Sequence, residues 1–249
     1  MFRHLTLIFL VFVFCVGSVF ADGSIGLTYS EVLGDRSIGL TGSFDADISD
    51  RVRFEADGQA QGVDVYNLSL DTNFVFDISD IDLKLLIANK AKGHSLDDLG
   101  REQTVGLAFS VPVNNLNFDV GVGGKNASPF SSPSAYDTLV AEGFSEGDLE
   151  GKGLKDLSPS PVGIPFKNGS TINAFVTTGF EKGIFEVDVK GVIELIGEGS
   201  KMHQVNTTIG TSGKIFDILV TTALEVGLAS YEDVIYREFA TVTTLGIDF

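Results

Sequence analysis

Cysteine and tryptophan are almost missing from this sequence, whose 249 residues include one cysteine and no tryptophan. The cysteine, Cys15, lies in a Leu, Phe and Val-rich run at residues 5–16, after Arg3 and before small residues that end at Ala21. This order of positive charge, apolar run and small residues predicts a secretory signal at residues 1–21. The mature chain would then lack cysteine, which excludes disulfides, thiolate metal sites and cysteine nucleophiles.

Basic residues are also scarce. The chain has 17 lysines and arginines against 34 aspartates and glutamates, a formal net charge of −17. Nucleic acid is excluded as a partner because phosphate binding needs clustered cations. Beyond residue 21 no apolar run approaches the 18 residues of a membrane-spanning helix, although 43% of the residues are hydrophobic. The position of these hydrophobic residues therefore has to be explained in another way.

The mature chain alternates with a period of two. Apolar, glycine or threonine residues occupy every second position in twelve segments separated by turn residues, and none of these positions is charged. The segments are residues 25–29, 38–48, 52–56, 66–78, 81–87, 105–113, 116–122, 172–180, 185–195, 205–211, 216–226 and 239–249.

The opposite parity carries the charges. Strands of this length can cross a bilayer at a tilt, which takes about 9–11 residues. Lipid outside and water inside accounts for both faces, because only a closed barrel satisfies every backbone hydrogen bond in hydrocarbon. The pattern predicts an all-β fold: one transmembrane antiparallel up-and-down barrel of about 12 strands over residues 22–249. The charged positions are Asp45, Asp47, Glu55, Asp57, Asp71, Asp77, Asp82, Asp119, Glu186, Asp188, Glu194, Asp217, Glu225, Glu238 and Asp248, with Arg51, Arg53, Lys84 and Lys190.

The connections between segments alternate in length. Every second one is short, and the intervening ones are expected to be longer, notably residues 89–102, 126–169 and 230–235. Outer-membrane barrels have short periplasmic turns, so the short set and both termini are predicted to be periplasmic. The short connections are residues 49–51, 79–80, 114–115, 181–184 and 212–215.

Phenylalanines cluster near the short turns with outward parity, which predicts a periplasmic aromatic girdle. Tyr29 and Tyr66 are candidates for a thinner girdle at the other interface. The girdle phenylalanines are Phe54, Phe74, Phe76, Phe118, Phe180, Phe185, Phe216 and Phe249.

With these features the chain resembles the Gram-negative outer-membrane barrels, most closely a small porin. Residues 239–249 end in Phe249, and Leu245 and Ile247 precede it with the same parity. This resembles the terminal-strand signal that such proteins present to the outer-membrane barrel assembly machinery, which is thus an expected partner besides outer-membrane lipid. Twelve strands differ from the sixteen of trimeric diffusion porins.

An acidic lumen predicts a channel that admits small hydrophilic solutes and prefers cations. Residues 126–169 hold five of the six prolines and either fold into the lumen as a constriction or form a mobile surface loop. The candidate pore-lining residues are Asp71, Asp119, Glu186, Asp188, Lys190, Asp217 and Glu225, and the candidate constriction residues are Asp137, Glu142, Glu146 and Asp148.

Other functions have weaker support. A non-conducting structural or adhesion barrel that displays surface loops is the main alternative. Outer-membrane phospholipases also have twelve strands and use histidine and serine, but His94 and His203 show no spacing typical of a triad or a metal cluster. We therefore expect no enzymatic activity, no cofactor and no metal site.

Overall fold

The structure is a computed structural model. It describes residues 22–32, 35–63, 66–79, 81–95, 98–113, 116–128, 140, 143, 145–149, 157–158, 166–231 and 234–248. The predicted signal at residues 1–21 and Phe249 lie outside these residues.

Strands make up nearly all of the described chain. One four-residue helix, α1 (Glu146–Leu149), interrupts them, and within the described residues no helix is long and apolar enough to span a membrane. The strands are β1 (Asp22–Val32), β2 (Asp35–Ser49), β3 (Val52–Val63), β4 (Tyr66–Ile78), β5 (Ile81–Ser95), β6 (Asp98–Val113), β7 (Leu116–Ser128), β8 (Leu157–Ser158), β9 (Phe166–Lys167), β10 (Gly169–Lys182), β11 (Phe185–Gly197), β12 (Met202–Ile215), β13 (Ile218–Tyr231) and β14 (Val234–Asp248).

Twelve of these strands close into a barrel, in the order β1-β14-β13-β12-β11-β10-β7-β6-β5-β4-β3-β2. All neighbours are antiparallel, and β1 closes on β14 with Ser24 opposite Asp248 and Val32 opposite Ala240. Closure leaves no unpaired edge, which hydrocarbon requires. The short β8 and β9 pair only with each other, within the connection between β7 and β10. The predicted twelve-stranded antiparallel barrel is confirmed.

The two faces of the barrel differ in polarity. On β6, Phe109 is 56% exposed on the outer wall, while the next residue, Ser110, is 6% exposed on the inner wall. Alternation of this kind continues around the barrel, so a band of apolar side chains faces outward. On β2, β3 and β4, the rings of Phe44 and Phe54 lie 6.1 Å apart and those of Phe54 and Phe74 lie 5.2 Å apart.

The barrel has two distinct ends. The turn end carries the first and last described residues, Asp22 and Asp248, and the tight connections, among them those with the positive-φ residues Ser79, Gly183 and Phe216. The loop end carries residues 129–168. By the usual asymmetry of outer-membrane barrels, the turn end corresponds to the predicted periplasmic side.

Two of the three long connections predicted from the sequence are wrong. β5 continues to Ser95 and β6 begins at Asp98, so residues 96–97 replace the expected loop over 89–102. In the same way β13 ends at Tyr231 and β14 begins at Val234, so residues 232–233 replace the expected loop over 230–235. On β5 and β6 the outward residues Asn89, Arg101 and Gln103 are polar, so the apolar signal stops before these two strands do.

A bulge in β11 changes the expected parity. Asn173 pairs with Glu194, but Ile172 pairs with Ile196, so Leu195 is an extra residue. Leu195 and Ile196 are both exposed on the outer wall. Glu194 keeps the inward parity of the residues before it, and the bulge shifts the parity of β11 only after Leu195, so that Ile196 also faces outward.

Candidate pore and its charged lining

The inner wall encloses a polar cavity of about 340 Å³ in the barrel. Asp57 on β3 and Asp71 on β4 stand directly opposite each other in register on one side of it. Lys90 on β5 and Lys190 on β11 also line it. A water-accessible space bordered by charges of both signs is suited to small polar solutes.

Several inward lysines form ion pairs. The Lys84 Nζ lies 3.1 Å from the Asp119 Oδ2, and the Lys125 Nζ lies 3.2 Å from the Glu102 Oε2. All four side chains are partly exposed to the lumen. Each of these pairs is locally neutral, so neither its lysine nor its carboxylate contributes strongly to the field that a passing solute meets.

One ion pair crosses the lumen. The Nζ of Lys92 on β5 lies 3.1 Å from the Oε1 of Glu238 on β14. These strands are nearly opposite, because four strands separate them on the shorter way around the barrel. The contact lies toward the loop end and narrows the passage there.

A buried ion pair fastens the last part of the long connection to the barrel wall. Lys167 on β9 and Glu194 on β11 are 1% and 2% exposed, and their Nζ and Oε1 atoms lie 2.5 Å apart. The other Glu194 oxygen accepts a hydrogen bond from the backbone N–H of Met202 at 2.9 Å. The Lys167 ammonium also lies 5.9 Å from the ring centre of the fully buried Tyr231. One end of residues 126–169 is thus anchored among inward side chains.

The predicted pore-lining residues lie mostly on the inner wall. Asp71, Asp119 and Lys190 line the cavity, and the Lys190 ammonium lies 5.6 Å from the ring centre of Phe175. Glu225 has inward parity on β13. Glu186 and Asp188 border a second cavity of about 340 Å³ near the turn end.

Asp217 does not lie on the wall of the lumen. It occupies the turn between β12 and β13, where Phe216 adopts a φ of 57°. The sequence pattern placed Asp217 inside because it treated residues 216–226 as uninterrupted strand.

The structure describes two of the four predicted constriction residues. Asp137 and Glu142 lie outside the described residues. Glu146 is exposed in α1, and Asp148 belongs to the same helical turn. The choice between a constriction and a surface loop therefore remains a prediction for most of residues 126–169.

Sequence reasoning missed several inward residues. Lys90, Lys92 and Lys125 were assigned to loops or left out, although each keeps the inward parity of its strand. Continuing the alternation beyond residues 87 and 122 would have found them. For Lys167 the sequence offers no such signal, because it precedes β10 and reaches Glu194 through a fold-dependent contact.

Other candidate residues lie away from the lumen. Leu245 and Ile247 of the predicted assembly signal are exposed on the outer wall, as is His203 on β12. The His94 side chain lies outside the described part. Among the described residues, no group of three or more His, Cys, Asp or Glu side chains is arranged to hold a metal ion.

Comparison with known proteins identifies the fold. No protein-family model matches the sequence, and no curated protein is significantly similar to it. The KdgM porin in complex with disordered oligogalacturonate is similar in structure, with a TM-score of 0.50, 6% identity, and coverage of 91% of this chain and 99% of that one. The COG4313 outer membrane channel from Pseudomonas putida F1 also has a TM-score of 0.50, with 10% identity and coverage of 93% and 96%. The closed barrel, its outward apolar band and these neighbours show that the chain has the fold of the outer-membrane porins.

Proposed function

We propose that this barrel is a channel for passive diffusion of small hydrophilic solutes and that it prefers cations. The observation that carries the proposal is the acidic strip along β2, β3 and β4. Asp45 pairs in register with Glu55, and Asp57 pairs with Asp71, all facing the lumen. Among the described residues, no ion pair involves Asp45, Asp57 or Asp71.

The inward cations offset this strip only in part. Lys84, Lys92 and Lys125 are each held by an acidic partner. Arg53 forms an ion pair with Glu55 of the strip at 2.8 Å, so the carboxylates of the strip that lack an ion pair among the described residues are Asp45, Asp57 and Asp71. Lys90 and Lys190 form no ion pair with a described residue and are the remaining cations that oppose these carboxylates. Since low-dielectric walls focus the field, the uncompensated carboxylates raise the local concentration of cations.

The sign of the selectivity is the central test. The protein purified from outer membranes is inserted into a planar bilayer with a KCl gradient, and the reversal potential is measured. We expect discrete conductance steps and a reversal potential displaced toward that of potassium. Anion preference would reject the cation proposal and would favour the chemistry suggested by KdgM, whose solved complex contains the anionic ligand oligogalacturonate.

A non-conducting barrel is the second candidate, and the Lys92–Glu238 contact across the lumen favours it. In that case surface loops would carry the function. A change of gel mobility on heating would first show that the purified protein is a folded barrel. If that protein then gave no conductance steps at all, the result would support this candidate over the channel.

We do not propose an enzymatic activity. His203 is exposed on the outer wall, away from the cavity. Phospholipid hydrolysis by the purified protein that is lost in His94→Ala or His203→Ala would contradict this view.

We also propose that the barrel assembly machinery recognises the chain through Leu245, Ile247 and Phe249. Deletion of Phe249 tests this proposal, because it should reduce the amount of barrel that is assembled in the membrane.

A further inference from the structure

The outer wall contains a trough of about 450 Å³ that extends from β2 to β7. Leu40, Leu68, Leu70 and Arg101 have outward parity and line it. Residues of inward parity also border it, among them Ser69 and Lys90. They follow one another across neighbouring strands as a single row, with outward residues on both sides of it. The trough therefore lies on the lipid side, and the backbone of this row is its floor.

Small side chains account for the depth of the trough. Ala60 pairs with Leu68, and Leu68 pairs with Ala91, so alanines stand on both sides of a leucine along one hydrogen-bonded row. Strands lie about 4.8 Å apart, so the five spacings from β2 to β7 give a length of about 24 Å. An extended acyl chain fits a narrow trough of that length.

The trough is amphipathic along its length. Its β2–β4 end is lined by leucines, whereas its β6–β7 end is lined by Arg101, Gln103 and Asn126. Arg101 is exposed, and no described residue forms an ion pair with it. On β6 the outward apolar band begins at Val105, so Arg101 and Gln103 lie just beyond it on the loop-end side. This is the level at which lipid headgroups meet a barrel.

We propose that this trough is a binding site for a phosphorylated lipid of the leaflet at the loop end. The acyl chain would lie over Ala60 and Ala91, and the headgroup phosphate would be held by the Arg101 guanidinium. Arginine presents a planar set of donors that matches phosphate oxygens, and the apolar end of the trough excludes a purely polar ligand. The site faces lipid, so it is independent of the channel proposed for the lumen.

Native mass spectrometry of the detergent-solubilised protein tests this proposal with two probes, dimyristoyl phosphatidylglycerol and dimyristoylglycerol, which has the same acyl chains but no phosphate. We expect phosphatidylglycerol to bind about tenfold more tightly, since a hydrogen bond to a charged group supplies roughly that factor. Arg101→Gln should remove the preference, and Ala91→Trp, which fills the trough without entering the barrel, should weaken binding of both lipids.

Two control variants lie elsewhere on the outer wall. Arg237→Gln removes an exposed arginine on β14, and Ala174→Trp enlarges an outward alanine on β10, so neither should change lipid binding. Equal binding of both lipids, or a preference that survives Arg101→Gln, would overturn the proposal. So would a dimer that Ala91→Trp disrupts, because the trough would then belong to a contact between two copies of the chain.

Discussion

Lys92 and Glu238 meet across the lumen although their strands lie on nearly opposite sides of the barrel. The side chains are 17% and 24% exposed, so water reaches the pair. A solute that passes the loop end has to move beside this pair or separate it. The pair is therefore the clearest candidate for the element that limits the size of the passage.

Replacing both partners of the crossing pair should widen the passage. In Lys92→Ser with Glu238→Ser, neither charge is left alone, and two long side chains are shortened together. We expect a higher single-channel conductance in planar bilayers with little change in the sign of selectivity, since one charge of each sign is removed. Lys214→Ser with Asp248→Ser removes an exposed pair at the turn end and serves as the control. An unchanged conductance in the first variant would place the narrowest point elsewhere.

The buried pair near the loop end should matter for stability. Lys167→Met leaves the Glu194 carboxylate buried without its cation, which should lower the free energy of unfolding by about 3–5 kcal/mol. Urea titration followed by the heat-modifiable gel shift measures this loss. Adding Glu194→Gln removes the buried negative charge and should recover much of it. The exposed pair of Lys214 and Asp248 is the comparison, because Lys214→Met should cost at most about 1 kcal/mol. Similar losses in both variants would show that burial does not make the Lys167–Glu194 pair more important for stability than an exposed pair.

The acidic strip predicts opposite effects on stability and selectivity. Asp57 and Asp71 are like charges directly opposite each other in register, an arrangement that costs roughly 0.2–1 kcal/mol. Asp57→Asn should therefore stabilise the barrel by that amount and also reduce its cation preference in reversal-potential measurements. Asp217→Asn, in a turn outside the lumen, should change neither quantity. A destabilised Asp57→Asn variant would indicate that the carboxylate has a favourable partner.

Two glycines on β7 should respond differently to alanine. A Cβ on the inward Gly121 would collide with the Phe175 ring, the Leu107 carbonyl oxygen and the Ala108 side chain. Gly121→Ala should thus destabilise the barrel by about 1–3 kcal/mol. Gly124 faces outward with nothing within 4 Å of a new Cβ, so Gly124→Ala should be neutral or stabilising by up to about 1 kcal/mol. Equal effects in the urea titration would show that packing inside β7 is loose.

The sequence predicts the barrel well because strand periodicity is a local property. Outward residues such as Phe109 and inward residues such as Ser110 alternate wherever lipid lies on one side and water on the other. The pattern fails where the outer wall leaves the hydrocarbon. There Asn89 and Gln103 are polar although they point outward, so β5 and β6 were predicted too short and Lys90 and Lys92 were missed.

Only part of the charged lining can be predicted from the sequence. Parity assigns Glu194 and Glu238 to the inner wall, but it gives no information about their partners. The pairing of Glu194 with Lys167 depends on the path of the chain before β10. The pairing of Glu238 with Lys92 depends on the cross-section of the closed barrel. Both are long-range consequences of closure that no local pattern encodes.

The single long connection between β7 and β10 gives the loop end an uneven outline. The chain links β1 to β2, β3 to β4, β5 to β6 and β13 to β14 with two residues each, and β11 to β12 with four. A loop of two residues only reverses the chain and exposes little backbone of its own. A large partner that arrives at the loop end beside these loops would therefore contact mainly the ends of the strands.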